Sequence, residues 1–332
     1  MTSLPKRRFL GLSLLLAGLG FAGGVLAQTY PSKPVTLMVP YPAGGLSDVI
    51  ARTVNTALAK HLGQPVVVEN LGGVSGALAA QKVLNAPADG YQIFQGSPNE
   101  LILSPLANSA VKFKSEDFRL VQLVAVAPMA VLARGDLPVS NGDELVAYAS
   151  QAAREQKPLT YASVGPGSFY HLMGEHLSKL VGVPMTHVPY KGAAPALQDL
   201  MGSQVDIFIT PFGKPQLEMA QQGRLKFVAT LSPERLDHLK NVPTLNESKA
   251  LKGFVFNIWT GYFVKKDTPE PVVQALHKAL SETLGDAAMR ASLEAQSQFV
   301  SKPLSLAEAA RYYSEGTAQF RAIAKSIQLQ PQ

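Results

Sequence analysis

The chain has 332 residues and no cysteine, and its 30 basic and 24 acidic residues give a formal net charge of +6. Because a single hydrophobic core stops growing beyond roughly 250–300 residues, we expect two domains. The lack of cysteine excludes disulfides, a cysteine nucleophile and a lipid-modified cysteine anchor.

The first 27 residues have the pattern of a signal peptide. Lys6, Arg7 and Arg8 precede the short apolar run 10–19, and Val25-Leu26-Ala27 offers small residues to a signal peptidase. We predict cleavage after Ala27 and export to the periplasm. A retained membrane anchor is less favoured, since a spanning helix needs about 20 apolar residues. The basic run is also a weak twin-arginine signal, so the export route stays open.

Loss of these three bases with the leader lowers the net charge from +6 to +3. The remaining basic residues are scattered, with no basic helix and no interleaved aromatic residues, which argues against a nucleic-acid partner. No later run of about 18 apolar residues occurs, so no membrane span is predicted in the mature chain.

The first third of the mature chain alternates between strand and helix patterns. Apolar residues at 50, 54, 58 and 62 recur at helical spacing, and Gly63 is positioned to end that helix. We predict strands at 35–39, 65–69 and 91–94, and helices at 50–62 and 78–84. This alternation is typical of a parallel sheet with crossover helices.

The pattern repeats after Pro128. We predict helices at 143–154, 171–181, 194–201 and 216–222, and strands at 159–162, 185–188, 205–209 and 226–230. A long apolar strand at 254–264 and two helices at 269–284 and 306–327 complete the chain. The predicted fold class is therefore α/β, with two doubly wound lobes and a ligand site beyond the carboxyl ends of the strands.

A glycine-rich loop joins the first strand to the first helix. It reads Pro-Tyr-Pro-Ala-Gly-Gly-Leu-Ser-Asp over residues 40–48. Gly44 and Gly45 let the backbone approach a ligand, and the helix start supplies free N–H donors for an anion. Asp48 has two interpretations: it complements the helix dipole, or it faces the cleft and meets a ligand amine or hydroxyl.

A second loop of this kind joins the strand at 159–162 to the following helix. Ser163, Gly165 and Gly167 offer hydroxyl and backbone donors, and Ser168 is a natural N-cap. The loop resembles a dinucleotide fingerprint only superficially, because Tyr170 replaces the third glycine and a proline removes a donor. Two anion-ready loops in corresponding positions favour a ligand that bridges both lobes.

Other polar residues have a structural interpretation beside a functional one. The Tyr190 hydroxyl could face the cleft, whereas Lys191 is expected to be solvated. Asp206 interrupts an apolar strand, and because a buried charge needs a partner or water, we expect it towards a sheet end or the cleft. Trp259, the single tryptophan, is expected to fill the core.

Catalytic motifs are missing: the chain has no G-x-S-x-G elbow, no P-loop and no H-E-x-x-H. His171 and Glu175 share a helix face, but His176 points away, so a metal site is not predicted. We expect a protein that is not an enzyme and holds no cofactor or metal. The alternative is a hydrolase or isomerase with Asp48 or His171 as its base.

Several segments in order resemble the receptors of tripartite tricarboxylate transporters, the Bug-type solute-binding proteins. These are VPYPAGGLSDVIAR at 39–52, GQPVVVEN at 63–70, ADGYQIFQGS at 88–97, YASVGPGSFYHLMGE at 161–175, VPYKGAAPALQDLMGSQVD at 188–206 and NVPTLNE at 241–247. Phe169-Tyr170 is bulkier than the family pattern, and the region 99–118 matches it poorly.

The resemblance implies a periplasmic binding protein fold of type II with a cleft between two lobes. Lobe one would contain residues 28–126 and 254–332, and lobe two residues 127–253. The implied ligand is a small carboxylate, either a dicarboxylate, an amino acid or an aromatic acid. The implied partners are membrane transporter subunits, with the receptor itself a monomer. A ligand-sensing protein of a signalling system is the alternative.

The resemblance also assigns candidate ligand-binding residues. In lobe one these are Tyr41, Ala43, Gly44, Gly45 and Asp48, and in lobe two Ser163, Gly165, Gly167, Ser168 and His171. Ser97, Tyr190 and Asp206 are secondary candidates.

Overall fold

The computed structural model describes residues 30–295, 299–300, 302–329 and 331. The predicted signal peptide at 1–27 lies outside the described residues. Within the described part of the chain, every helix is too short or too polar to cross a bilayer.

The described residues form nine strands and ten α-helices. The strands are β1 Val35–Val39, β2 Val66–Asn70, β3 Gln92–Gly96, β4 Phe118–Arg134, β5 Thr160–Ser163, β6 Thr186–Pro189, β7 Ile207–Pro211, β8 Leu225–Thr230 and β9 Asn257–Lys265. The helices are α1 Leu46–Leu62, α2 Ala77–Asn85, α3 Ser104–Ala107, α4 Gly142–Arg154, α5 Phe169–Val181, α6 Ala193–Met201, α7 Lys214–Gln221, α8 Glu270–Gly285, α9 Ala287–Glu294 and α10 Leu306–Ser326. A π-helix, Asn99–Leu103, runs directly into α3.

The strands form one mixed sheet in the order β2-β1-β3-β9-β4-β7-β5-β6, with β8 also paired to β4. Each half contains three parallel strands, β2-β1-β3 in one and β7-β5-β6 in the other. An antiparallel strand follows each set, β9 beside β3 and β4 beside β7. The two halves therefore repeat one topology, and the loop after β1 corresponds to the loop after β5.

Strand β4 joins the halves and was not predicted from the sequence. Its residues from Phe118 to Pro128 pair with β9, and those from Met129 to Arg134 pair with β7 and β8. The strand is almost wholly buried, so its long apolar run lacks the alternation by which a half-buried strand is recognised. The pattern of apolar residues did not reveal β4 for this reason, and helix α9 was also missed.

The core is continuous across the two halves on one side of the sheet. One apolar cluster contains Phe94 and Trp259 together with Leu145 and Phe169 from the other half. Two smaller clusters each belong to one half. Trp259 is 3% exposed and packs against Phe263, Tyr312 and Tyr313, which confirms its predicted place in the core.

Candidate functional site

A cavity of about 800 Å³ lies between the two halves, where the parallel strands end. Loops that follow five strands contribute to its wall, as expected for the crevice of a doubly wound sheet. The lining residues are Tyr41, Pro42, Ala43, Gly45, Ser47, Ile50, Ser97, Asn99, Ala127, Val164, Tyr170, Gly192, Ala193, Pro211, Phe212, Gly213, Pro215, Gln216, Ile258 and Thr260.

The described wall of this cavity is polar in places but contains no ionisable acid or base of the Asp, Glu, Lys, Arg or His type. The lining residues with hydroxyl or amide side chains are Tyr41, Ser47, Ser97, Asn99, Tyr170, Gln216 and Thr260. A charged ligand in this cavity would therefore meet neutral donors and backbone dipoles rather than a counter-charge.

Three helices begin at the cavity, and each has a glycine as its N-cap residue. Gly45 precedes α1, Gly192 precedes α6 and Gly213 precedes α7. Because glycine has no side chain with which to cap a helix, the first-turn N–H groups of α1 and α6 are left for water or a ligand. At α7, the Gly213 N–H donates to Gln216 Oε1 at 2.9 Å, and Pro215 has no N–H. Converging helix N-termini favour an anion.

Asp48, in the first turn of α1, fixes the conformation of the loop between β1 and α1 through hydrogen bonds. The carboxylate oxygen Oδ2 accepts hydrogen bonds from Gly44 N at 2.8 Å and from Arg52 Nε at 3.0 Å. These contacts, with Arg52 as the largest cause, lower the pKa of Asp48. Asp48 is 3% exposed and does not line the cavity, which favours the structural one of its two interpretations, and its contact with a ligand stays a prediction.

The same network accounts for Gly44. Its φ of +84° favours glycine, and its N–H donates to Asp48 rather than to the cavity. Asn70 Nδ2 donates to Tyr41 O at 3.0 Å and fixes the loop from the neighbouring strand. Tyr41, Ala43 and Gly45 are the residues of this loop that face the cavity.

The residues that follow β3 form part of the cavity wall, and only one of them was predicted from the sequence. Ser97 lines the cavity, and so does Asn99, which was not selected from the sequence. Behind them lies Glu100, which is fully buried. Its carboxylate accepts a hydrogen bond from the Tyr41 hydroxyl and another from Ser97 N at 2.6 Å. A glutamate in an apolar run was the available signal, since a buried charge requires partners.

The loop between β5 and α5 uses most of its predicted donors internally. Ser163 is fully buried, and its Oγ accepts from Gly165 N at 3.0 Å and contacts His187 Nε2 at 2.6 Å. Ser168 Oγ caps α5 by accepting from His171 N at 3.3 Å and donates to Gly165 O at 2.7 Å. These groups hold the loop in shape instead of facing a ligand.

His171 is engaged in the same way. Gly167 N donates to His171 Nδ1 at 3.0 Å, and the imidazole stacks on His187 with ring centroids 4.1 Å apart. Its Nε2 lies 3.8 Å from Glu175. Burial lowers the pKa of His171. Burial and the neighbouring charge of His171 lower the pKa of His187 to about 4.

Val164 and Tyr170 of this segment line the cavity, whereas five predicted residues do not: Ser163, Gly165, Gly167, Ser168 and His171. Ligand contacts of these five residues stay a prediction. The strand-to-helix pattern predicted the loop, but such a pattern does not encode which of its residues face the cavity.

Two secondary candidates are also placed away from the cavity wall. The Tyr190 hydroxyl donates to Asp199 Oδ2 at 2.9 Å, and Gly192 and Ala193 line the cavity in its place. Asp206 precedes β7, whereas Pro211 at the other end of that strand lines the cavity. Because a strand rises about 3.3 Å per residue, Asp206 and Pro211 are roughly 16 Å apart along β7.

Asp206 instead connects three elements at the amino end of the sheet. Its Oδ1 accepts from Arg134 Nε at 2.8 Å, and its Oδ2 accepts from Thr160 N and Oγ1, each at 2.8 Å. The predicted need for a partner is met by this network, and of the two expected positions Asp206 occupies the end of the sheet rather than the cavity wall.

The two halves touch beside the cavity. Phe169 N donates to Asn99 Oδ1 at 3.3 Å, which connects the start of α5 to the π-helix of the other half. A ligand in the cavity therefore lies next to a contact that already joins the halves.

Comparison with known proteins agrees with this architecture. Residues 50–329 match the sequence model of a protein family described as the tripartite tricarboxylate transporter family receptor. Among solved structures, the chain is 32% identical to the periplasmic binding protein BugD (TM-score 0.73, covering 91% of this chain and 100% of that one).

Two structures from Rhodopseudomonas palustris contain ligands. The chain is 30% identical to Rpa4515 with adipate (TM-score 0.76, covering 91% of this chain and 100% of that one). It is also 30% identical to MatC with bound malate (TM-score 0.73, covering 89% and 99%). The periplasmic binding protein fold expected from the sequence is confirmed by these likenesses.

Proposed function

The chain belongs to the tripartite tricarboxylate transporter receptor family, and from that premise we propose that it captures a small carboxylate in the periplasm for a membrane transporter. In this proposal the protein binds its solute without transforming it. The predicted signal peptide would direct export, with cleavage after Ala27.

The observation that carries the proposal is the neutral cavity surrounded by the N-termini of α1, α6 and α7. Gly45 and Gly192 provide no side-chain cap, so the first-turn main-chain N–H groups of α1 and α6, in opposite halves, are donors for a ligand, and Gly213 begins α7 at the same cavity. Such donors stabilise an anion without a positive side chain. A volume of about 800 Å³ also falls within the usual range of small-ligand pockets.

The substrate class rests on the solved relatives. Malate is bound in one and adipate in the other, so both ligands are dicarboxylates of modest length. A dicarboxylate suits a cavity with donors from opposite halves, because each carboxylate can meet a different set of helix N-termini.

We further propose that residues 28–126 with 254–332 and residues 127–253 act as two lobes. Strand β4 changes pairing partners after Pro128, close to the boundary assigned from the sequence. A ligand that contacts both lobes shifts the equilibrium towards a closed form, which transporter subunits could recognise. The receptor is proposed to act as a monomer.

The test is a calorimetric and thermal-shift screen of protein purified from the periplasm after expression of the full chain. The panel is acetate, succinate, malate, adipate, glutamate and benzoate, with adipamide as the uncharged control for adipate. We expect at least one carboxylate to bind and adipamide to fail. Equal binding of adipate and adipamide, or no binding by any member, would contradict the proposal. N-terminal sequencing of the same material tests cleavage after Ala27.

A further inference from the structure

We propose that Glu100 controls the Tyr41 hydroxyl from behind the cavity wall, so that the site takes up one proton together with its carboxylate ligand. This inference rests on the proposed function, because it concerns how the same cavity accommodates an anion. It assigns a positioning role to a buried residue that does not itself line the cavity.

Glu100 lies in the π-helix Asn99–Leu103, a rare element that is frequent at functional sites. The π-helix places Asn99 in the cavity wall and Glu100 directly behind it, with no exposed surface. Its two oxygens accept from two residues of that wall, the Tyr41 hydroxyl and Ser97 N.

The neighbouring backbone leaves room for this carboxyl group. Gly76 has a φ of +86°, and a Cβ on it would lie 2.4 Å from Glu100 Cγ. Glycine at this position is thus required by both its backbone conformation and the volume of Glu100.

The surroundings of Glu100 are otherwise neutral. Among the described residues, the titratable groups that interact with it are Tyr41, from the β1–α1 loop, and Tyr170, from the start of α5. Burial raises the pKa of Tyr41 well above its usual range and that of Tyr170 to about 12, so both stay uncharged. Burial also raises the pKa of Glu100, with Ser97 and Tyr41 opposing the shift.

Ionisation of Glu100 decides where the Tyr41 proton points. An ionised Glu100 only accepts, so the Tyr41 O–H is directed away from the ligand towards the carboxylate. A protonated Glu100 can donate its own O–H to Tyr41 Oη, which releases the Tyr41 O–H to donate to a ligand carboxylate. The proton comes from solvent and remains on Glu100, and no covalent bond of the ligand changes.

Electrostatics act in the same direction. An anion bound against Tyr41 and Ser97 would lie close to a second carboxylate in a poorly solvated environment, which favours protonation of Glu100. Ligand binding and protonation of Glu100 therefore stabilise each other, and by reciprocity the affinity depends on pH.

The experiment is isothermal titration with adipate and malate between pH 6 and 9, repeated in phosphate and in Tris. The difference in observed enthalpy between buffers gives the number of protons taken up. Both carboxyl groups of each probe are ionised above about pH 7, so uptake there reports the protein. Wild type, Glu100→Gln, Tyr41→Phe and the exposed control Glu234→Gln are compared.

For wild type we expect uptake approaching one proton at the upper end of the range, with affinity falling up to tenfold per pH unit there. Glu100→Gln should lose most of this dependence, and Glu234→Gln should retain it. Tyr41→Phe should reduce it, because Glu100 then responds only to the charge of the anion. Wild-type binding without proton uptake at any pH overturns the inference and requires no variant to fold. Failure of the whole carboxylate panel would overturn the proposed function and the inference together.

Discussion

Gly167, in the loop before α5, packs directly against Ala107 at the end of α3 in the other half of the sheet. A Cβ on Gly167 would lie 2.7 Å from the Cβ of Ala107, and the φ of Gly167 is +72°. Any larger residue at 167 would thus strain the backbone and push the halves apart. Gly167 maintains the contact between the halves, so its substitution cannot isolate ligand binding from folding.

A substitution at Gly45 tests whether the N-terminus of α1 binds the ligand without disturbing the fold. Its φ of −80° suits any residue, and the nearest atom to an added Cβ would be Pro42 O at 3.5 Å. We expect Gly45→Val to fold normally but to lower carboxylate affinity at least tenfold, because the side chain covers the donors of α1. Calorimetry with adipate measures the loss.

The matched control for Gly45→Val is Gly285→Val, at the end of α8, where an added Cβ meets no atom within 4 Å. It should leave adipate affinity unchanged. Equal affinity in wild type and Gly45→Val would exclude α1 from the binding site.

Asp206 is expected to serve stability alone. Asp206→Ala leaves Arg134 and Thr160 without their shared acceptor at the far end of the sheet. The free energy of unfolding should fall by about 1–3 kcal/mol, with ligand affinity unchanged in denaturation and binding measurements on the same sample. Asp237→Ala, at an exposed position, should alter neither quantity. A large affinity loss in Asp206→Ala with normal stability would restore Asp206 to the site.

The stacked pair of His171 and His187 predicts that the folded protein loses stability at acidic pH. The pKa of His187 is about 4 in the folded protein against a usual value of 6.5, so the unfolded chain binds more protons between these limits. Stability contributed by neutral His187 is therefore present above pH 6.5 and is lost as the pH falls towards 4.

His187→Gln keeps a polar partner for Ser163 but cannot titrate. We expect its thermal midpoint to decline less than that of wild type between pH 6.5 and 4, as followed by circular dichroism. The exposed His238 provides the control variant His238→Gln, whose profile should follow wild type. Parallel profiles for wild type and His187→Gln would show that this pair does not titrate as described.

Two buried tyrosines should respond oppositely to loss of the hydroxyl. Tyr262 Oη has no hydrogen-bond partner among the described residues, whereas Tyr313 Oη donates to Ser115 O at 2.9 Å. Tyr262→Phe should be neutral or stabilising by up to about 1 kcal/mol, and Tyr313→Phe should destabilise by about 0.5–1.5 kcal/mol. Urea denaturation compares them, and a greater loss in Tyr262→Phe would reveal a partner for that hydroxyl.

Much of the local structure could be predicted because it depends on neighbours in the sequence. The spacing of apolar residues from Ile50 to Leu62 specified α1, and Gly63, with a φ of +68°, ends it as predicted. The repetition of strand and helix in both halves likewise indicated where the strands end and therefore which loops surround a ligand. Tyr41, Ala43, Gly45 and Ser97 were found in this way.

The orientation of each loop, and hence the membership of the site, was decided by tertiary structure. Ser163 contacts Gly165 and His187, and Ser168 and His171 bond to the backbone of their own loop. The cavity is lined by their neighbours Val164 and Tyr170. Glu100 in its apolar run indicated a need for partners, but only the tertiary structure showed that these partners are Tyr41 and Ser97.

The sequence by itself thus determined the family, the order of elements and the loops that can present main-chain donors. Whether a particular donor faces a ligand or another part of the protein depends on contacts between residues far apart in the chain. Those contacts arise only when both halves of the sheet are assembled.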